Sequence, residues 1–139
     1  METLIEVSHV SKSYGKVQAL RDVSFQVKQG ELFGLIGPDG SGKSKVFRIL
    51  TTLLKPDQGT AHVLHADVLA DFRTIRRSVG YMPGRFSLYQ DLTVEENLRF
   101  FATVFHTTVE ENYERIRPIY EQIAPFKDRR GGALSGGME

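Results

Sequence analysis

The sequence predicts an α/β fold whose strands come first and whose helices come last. Three observations carry this. Up to residue 36, apolar and β-branched residues fall in short runs bounded by turn signals. From residue 93 onward, apolar residues recur at three- and four-residue spacing behind two capping patterns. Between them, a glycine-rich loop, GPDGSGKSK from Gly37 to Lys45, joins a strand-like run to a helical one.

The elements follow in order. Leu4 to Val10 and Ala19 to Val27 read as strands, with Lys28-Gln29-Gly30 as the turn after the second. Leu32-Phe33-Gly34-Leu35-Ile36 is continuously apolar apart from its glycine and predicts a short, fully buried strand. Val46, Phe47, Ile49, Leu50, Leu53 and Leu54 have helical spacing, and Lys55-Pro56-Asp57-Gln58-Gly59 stops that helix. A strand over about Thr60 to Leu64, a short polar helix over Asp71 to Arg76 and a strand over Ser78 to Met82 come next. Thr93-Val94-Glu95-Glu96 is a capping-box pattern that opens a helix with Val94, Leu98, Phe101 and Phe105 on one face. Thr108-Val109-Glu110-Glu111 is a second, ahead of Tyr113, Ile116, Tyr120 and Ile123. Pro118 is expected to kink or split that last helix, because it lacks the N–H and its ring crowds the preceding turn.

Composition narrows the classes. The chain has 139 residues, enough for one domain with a core. A formal net charge of +1 argues against a nucleic-acid binder, which normally carries a basic excess. Without cysteine there is no disulfide framework and no thiolate metal site. His9, His62, His65 and His106 lack ligand spacing; His62 and His65 are three apart, which on a strand means opposite faces. No apolar run approaches the roughly 20 residues that span a bilayer, and the amino terminus lacks a signal-peptide layout. The expected location is the cytosol.

The glycine-rich loop carries the chemistry. Gly37, Gly42, Lys43 and Ser44 satisfy G-x-x-x-x-G-K-[ST], and Pro38, Asp39, Gly40 and Ser41 complete it. The glycines let the backbone wrap an anion with its N–H groups turned inward. Lys43 reaches terminal phosphates as a point charge, and the Ser44 hydroxyl can ligate Mg²⁺. The following helix aims its positive end at the phosphates. The loop predicts nucleotide binding but does not name a reaction, since kinases, GTPases, helicases and transporter motors all use it.

Leu134-Ser135-Gly136-Gly137 lies about ninety residues after the loop. At that spacing the sequence resembles the nucleotide-binding subunits of ABC transporters, whose LSGG signature this tetrapeptide matches. Tyr14, in KSYGKVQAL, stands where that family has an aromatic that stacks on adenine, and Val17 is expected to pack beside the same ring. YMPGRFSLYQDLTVEENL, Tyr81 to Leu98, is similar to the segment leading from the Q-loop into the helical subdomain, with wording like that of drug- or polysaccharide-exporters.

The resemblance implies an ABC-type P-loop NTPase fragment. It would have an N-terminal antiparallel β subdomain and partial core sheet over 1–91, a helical subdomain over 92–133, and the signature at 134–139. It implies ATP and Mg²⁺ as cofactors. The implied partners are a second nucleotide-binding domain in a head-to-tail dimer and a transmembrane permease that holds the subunit on the inner face of the membrane. Leu134 to Gly137 would then contact the ATP of the second subunit.

Three departures bear on this. Lys45 stands where the family has Thr beside the α-phosphate. Gly84 stands where it has a Gln that contacts Mg²⁺. The chain also stops at Glu139, ahead of the family's Asp, catalytic Glu and switch His, so a fragment without its own catalytic base and without hydrolysis is expected. A non-catalytic nucleotide-binding or partner-binding module is the alternative. A GTPase or small-molecule kinase finds less support, because no N-K-x-D guanine-reading motif is present.

Overall fold

The computed structural model of the protein describes residues 1–83 and 89–133. The chain divides into two compact units, Met1–Tyr81 and Met82–Glu139.

The first unit is built on a hairpin of two long strands, β1 (Thr3–Tyr14) and β2 (Val17–Lys28). Gly15 at the hairpin tip supplies a positive φ of 60°. Strand β1 also pairs with β3 (Gln58–Val63), and β3 with β4 (Ala66–Asp67), giving an antiparallel sheet ordered β2-β1-β3-β4. Strand β1 runs four residues beyond the expected Val10 because a bulge lets the ladder resume. Val7 pairs with Phe25 and Val10 with Val23, so β1 carries one extra residue there. His9 takes up the bulge at φ 52°. Gly59 lies so close to it that a Cβ would sit 2.2 Å from the His9 carbonyl oxygen, which only glycine avoids.

Helix α1 (Lys43–Leu50) places Val46, Ile49 and Leu50 against Val7, Val10, Leu20, Ala61 and Val63 of the sheet. Ile75 of α2 (Phe72–Ser78) joins the same core. Burying a side chain such as Ile49 or Ile75 contributes about 1.5–3 kcal/mol. Helix α1 ends at Leu50, earlier than its apolar spacing suggests. Thr52 turns left-handed at φ 68°, and Leu53 and Leu54 donate back to the Arg48 carbonyl.

Two expected strands are not formed. Residues 32–36 have no strand partner among the described residues, and Leu32 and Ile36 are 101% and 99% exposed rather than buried. An apolar run becomes a buried strand only when neighbouring strands accept its backbone groups. Here the segment is held by its side chains instead. Phe33 stacks on Phe25 with centroids 5.1 Å apart, and Leu35 packs on the core. Residues 79–83 likewise stay outside any strand, and Ser78 closes α2.

The second unit contains α3 (Val94–Val104) and α4 (Tyr113–Ile123). Thr93 and Glu96 form the expected capping box, with Glu96 N–H donating to Thr93 Oγ1 at 3.1 Å and Thr93 N–H to Glu96 Oε1 at 2.9 Å. The second pattern closes only half a box: Glu111 N–H donates to Thr108 Oγ1 at 3.1 Å, while the Glu111 carboxylate accepts from Thr107. It opens a 3₁₀ turn, Glu110–Asn112, that leads into α4. Helix α4 runs unbroken through Pro118, against expectation. Tyr113 and Tyr120 meet edge to face across its length, and Arg117 pairs with Glu121 on the far side of the proline.

Candidate functional site

The site grows from the junction of the glycine-rich loop and α1. Gly42 is the N-cap residue of α1, at φ 98°. A Cβ there would meet the Ala19 carbonyl oxygen and Leu20 Cδ2, each at 2.7 Å, so the loop is pressed directly onto β2. Gly40 also has a positive φ, 82°. A Cβ on Gly37 would meet Ser41 Oγ at 2.7 Å, so the loop closes on itself as well. These are the close approaches that a wrapped backbone demands.

The wrap leaves donors free. The backbone N–H groups of Gly40, Gly42, Lys43 and Ser44 donate to no other described residue, whereas Ser41 N–H donates to the Pro38 carbonyl at 3.1 Å. Lys43 Nζ turns into the loop, donating to the Gly37 carbonyl and, at 3.2 Å, to that of Pro38. Asp39 and Ser44 are exposed at the loop surface. The first turn of α1 holds Lys43 and Lys45 and no acidic residue. Free amides, the positive end of a helix and two lysines together favour an anion.

The hairpin tip supplies an aromatic beside this loop. Tyr14 and Val17 are direct cross-strand partners, and both are exposed. Two ammonium groups face the Tyr14 ring: Lys45 Nζ lies 5.3 Å from its centroid and Lys12 Nζ 5.5 Å. Lys12 is fixed by Asp57 at 3.2 Å, and Asp57 Oδ2 accepts from Ser13 N–H at 2.8 Å. The Ser13 amide first, then Lys12, hold the Asp57 carboxyl below its ordinary value.

A phosphate cradle and an adjoining aromatic suit many nucleotide-binding proteins, and relatives decide among them. The family described as ABC transporter matches residues 20–139. The chain belongs to the ABC transporter family. It is 43% identical over 120 residues to the probable multidrug ABC transporter ATP-binding protein YbhF of Escherichia coli K12, covering 86% of this chain and 21% of that protein. It is 38% identical over 140 residues to the Nod factor export ATP-binding protein I of Sinorhizobium fredii, covering 99% of this chain and 41% of that one. The chain thus spans less than half the length of these curated relatives. Among solved structures, the ATP-binding cassette MJ0796, a dimer bound to ADP and Pi, superposes with a TM-score of 0.82 at 27% identity, over 97% of this chain and 65% of that one.

Within this ABC transporter chain, Lys45 at the end of the loop meets the Tyr14 ring, and Val17 pairs with Tyr14 across the hairpin. Leu134, Ser135, Gly136 and Gly137 lie outside the described residues, as does Gly84. Among the described residues, no group of three or more His, Cys, Asp or Glu could hold a metal ion. The Ser44 hydroxyl fits the part of a single Mg²⁺ ligand, since Mg²⁺ keeps waters and phosphate oxygens around one or two protein ligands. Three of the four histidines face carboxylates elsewhere: His9 bonds Asp22 at 2.6 Å, His65 bonds Glu2, and His62 lies 3.6 Å from Asp67. Sequence reasoning missed Lys12 and Asp57. The available signal was Lys12 two residues before Tyr14, the spacing of one strand face.

Proposed function

We propose that this chain is the ATP-binding part of an ABC transporter motor subunit whose complete form couples ATP binding and hydrolysis to export across a membrane. Gly37 to Ser44 would hold the phosphates, Lys43 the terminal ones, and Tyr14 with Val17 the adenine. Ser44 would contribute one oxygen to Mg²⁺, which when bound neutralises phosphate charge. Leu134 to Gly137 would face the nucleotide of a second subunit, in keeping with the dimeric state of MJ0796. A permease would hold the assembly at the cytoplasmic face; among the described residues no helix is long and apolar enough to cross a membrane. Export is favoured by the likeness to the Nod factor export protein.

The observation that carries this reading is the set of free loop N–H groups beside Lys43, on a backbone that only glycine at position 42 permits. Isothermal calorimetry with ATP tests it. Lys43→Ala is expected to weaken ATP binding by about 2–3 kcal/mol, as for loss of a charge-assisted contact. Equal affinity in both proteins would overturn the assignment.

A further inference from the structure

The two ammonium groups on the Tyr14 ring are held differently. Lys12 is anchored by its ion pair with Asp57, and its side chain is only 15% exposed. Lys45 forms no ion pair with any described residue. It rises from the first turn of α1, where a cation opposes the helix dipole. Its visible partner is the ring, at 5.3 Å, and a cation–π contact on an exposed ring is weak. A phosphate at the adjoining loop offers the same ammonium a stronger, charge-assisted contact. A base laid on Tyr14 must compete with the cation for the ring.

We propose that Lys45 discriminates between nucleotides and bare nucleosides: it rests on Tyr14 before the ligand arrives and transfers to the sugar-proximal phosphate when a base takes the ring. This deepens the nucleotide-site reading above and rests on it. A nucleoside displaces the cation and returns nothing to it. A nucleotide displaces it and gives it a phosphate. The phosphate concerned is common to AMP, ADP and ATP, so the effect of Lys45 does not depend on the terminal phosphates that Lys43 reaches.

The test compares the wild-type protein with Lys45→Met, of similar length without the charge, and Lys45→Arg, which keeps it. AMP, ATP and adenosine compete against a fluorescent ATP analogue at low and high salt. Lys45→Met should weaken AMP and ATP by about tenfold at low salt and by less at high salt. It should not weaken adenosine. Lys45→Arg should stay within about threefold of wild type for all three ligands. AMP and ATP affinities within twofold of wild type in Lys45→Met, or adenosine weakened as much as AMP, would overturn the proposal. The Lys43→Ala protein separates the two failures. If ATP binding is indifferent to Lys43, the nucleotide site itself is wrong; if it depends on Lys43 but not on Lys45, only the discriminating role is wrong.

Discussion

The close-packed turn at Gly42 is foreshadowed by one contiguous pattern, in which Gly42, Lys43 and Ser44 each occupy a fixed position. What the sequence could not display is contact between distant residues. Lys45 meets Tyr14 from thirty-one positions away, and Asp57 reaches Lys12 across forty-five. Asp57 makes a prediction of its own. Its carboxyl sits below the ordinary value of 3.8 because the Ser13 N–H and then Lys12 favour its charged form. A depressed folded value means that the contribution to stability is present above the unfolded value and is lost as pH falls through the folded one. Wild type should therefore be more stable than Asp57→Asn at neutral pH, and the gap should close as pH drops below about 4. Denaturant melts of both proteins from pH 7 to pH 2 measure this; a gap that stays constant across the range would contradict it.

At the scale of elements, local chemistry read well and long-range pairing did not. Helix α3 begins at Val94 because Thr93 and Glu96 satisfy each other's backbone amides, a signal contained in four adjacent residues. Asn97, 3% exposed, reinforces the start by accepting from Tyr89 N–H at 2.9 Å and donating to the Tyr89 and Thr93 carbonyls at 3.0 Å. Arg99, braced within α3 by Glu95, then ties the helix to the turn before α4 through Glu110. Thr93→Ala should cost about 1 kcal/mol of stability, the usual loss for an N-cap. Chemical denaturation followed by helical circular dichroism measures it, and an unchanged midpoint would show that the Val94 and Glu95 amides, bound to the Arg129 and Lys127 carbonyls, fix the helix start together with Asn97. The run from Leu32 to Ile36 departs from its expected strand for the opposite reason. Its apolarity is local, but a strand exists only in its neighbours, and none of the described residues pairs with it. Pro118 departs from expectation too: its missing N–H removes one bond from α4, while the Tyr113–Tyr120 contact and the ion pairs of Arg117 with Glu114 and Glu121 span the gap.

At the scale of the whole molecule, the antiparallel sheet β2-β1-β3-β4 is a platform for one junction. Strand β2 receives the loop at Ala19 and Leu20, β1 carries Tyr14 to the hairpin tip, and α1 starts where the loop ends. The family match extends from residue 20 through the second unit, so the loop and the LSGG tetrapeptide belong to one family pattern even though residues 134–137 lie outside the described part. In the proposed function the free amides of the loop take up nucleotide phosphate. Titration of ¹⁵N-labelled protein with ATP, followed by amide chemical shifts, reports on those amides one by one. Gly40, Gly42, Lys43 and Ser44 should show the largest shifts and saturate together, and Lys43→Ala should move the saturation point to higher ATP. Shifts concentrated away from these four amides, or none at saturating ATP, would contradict it.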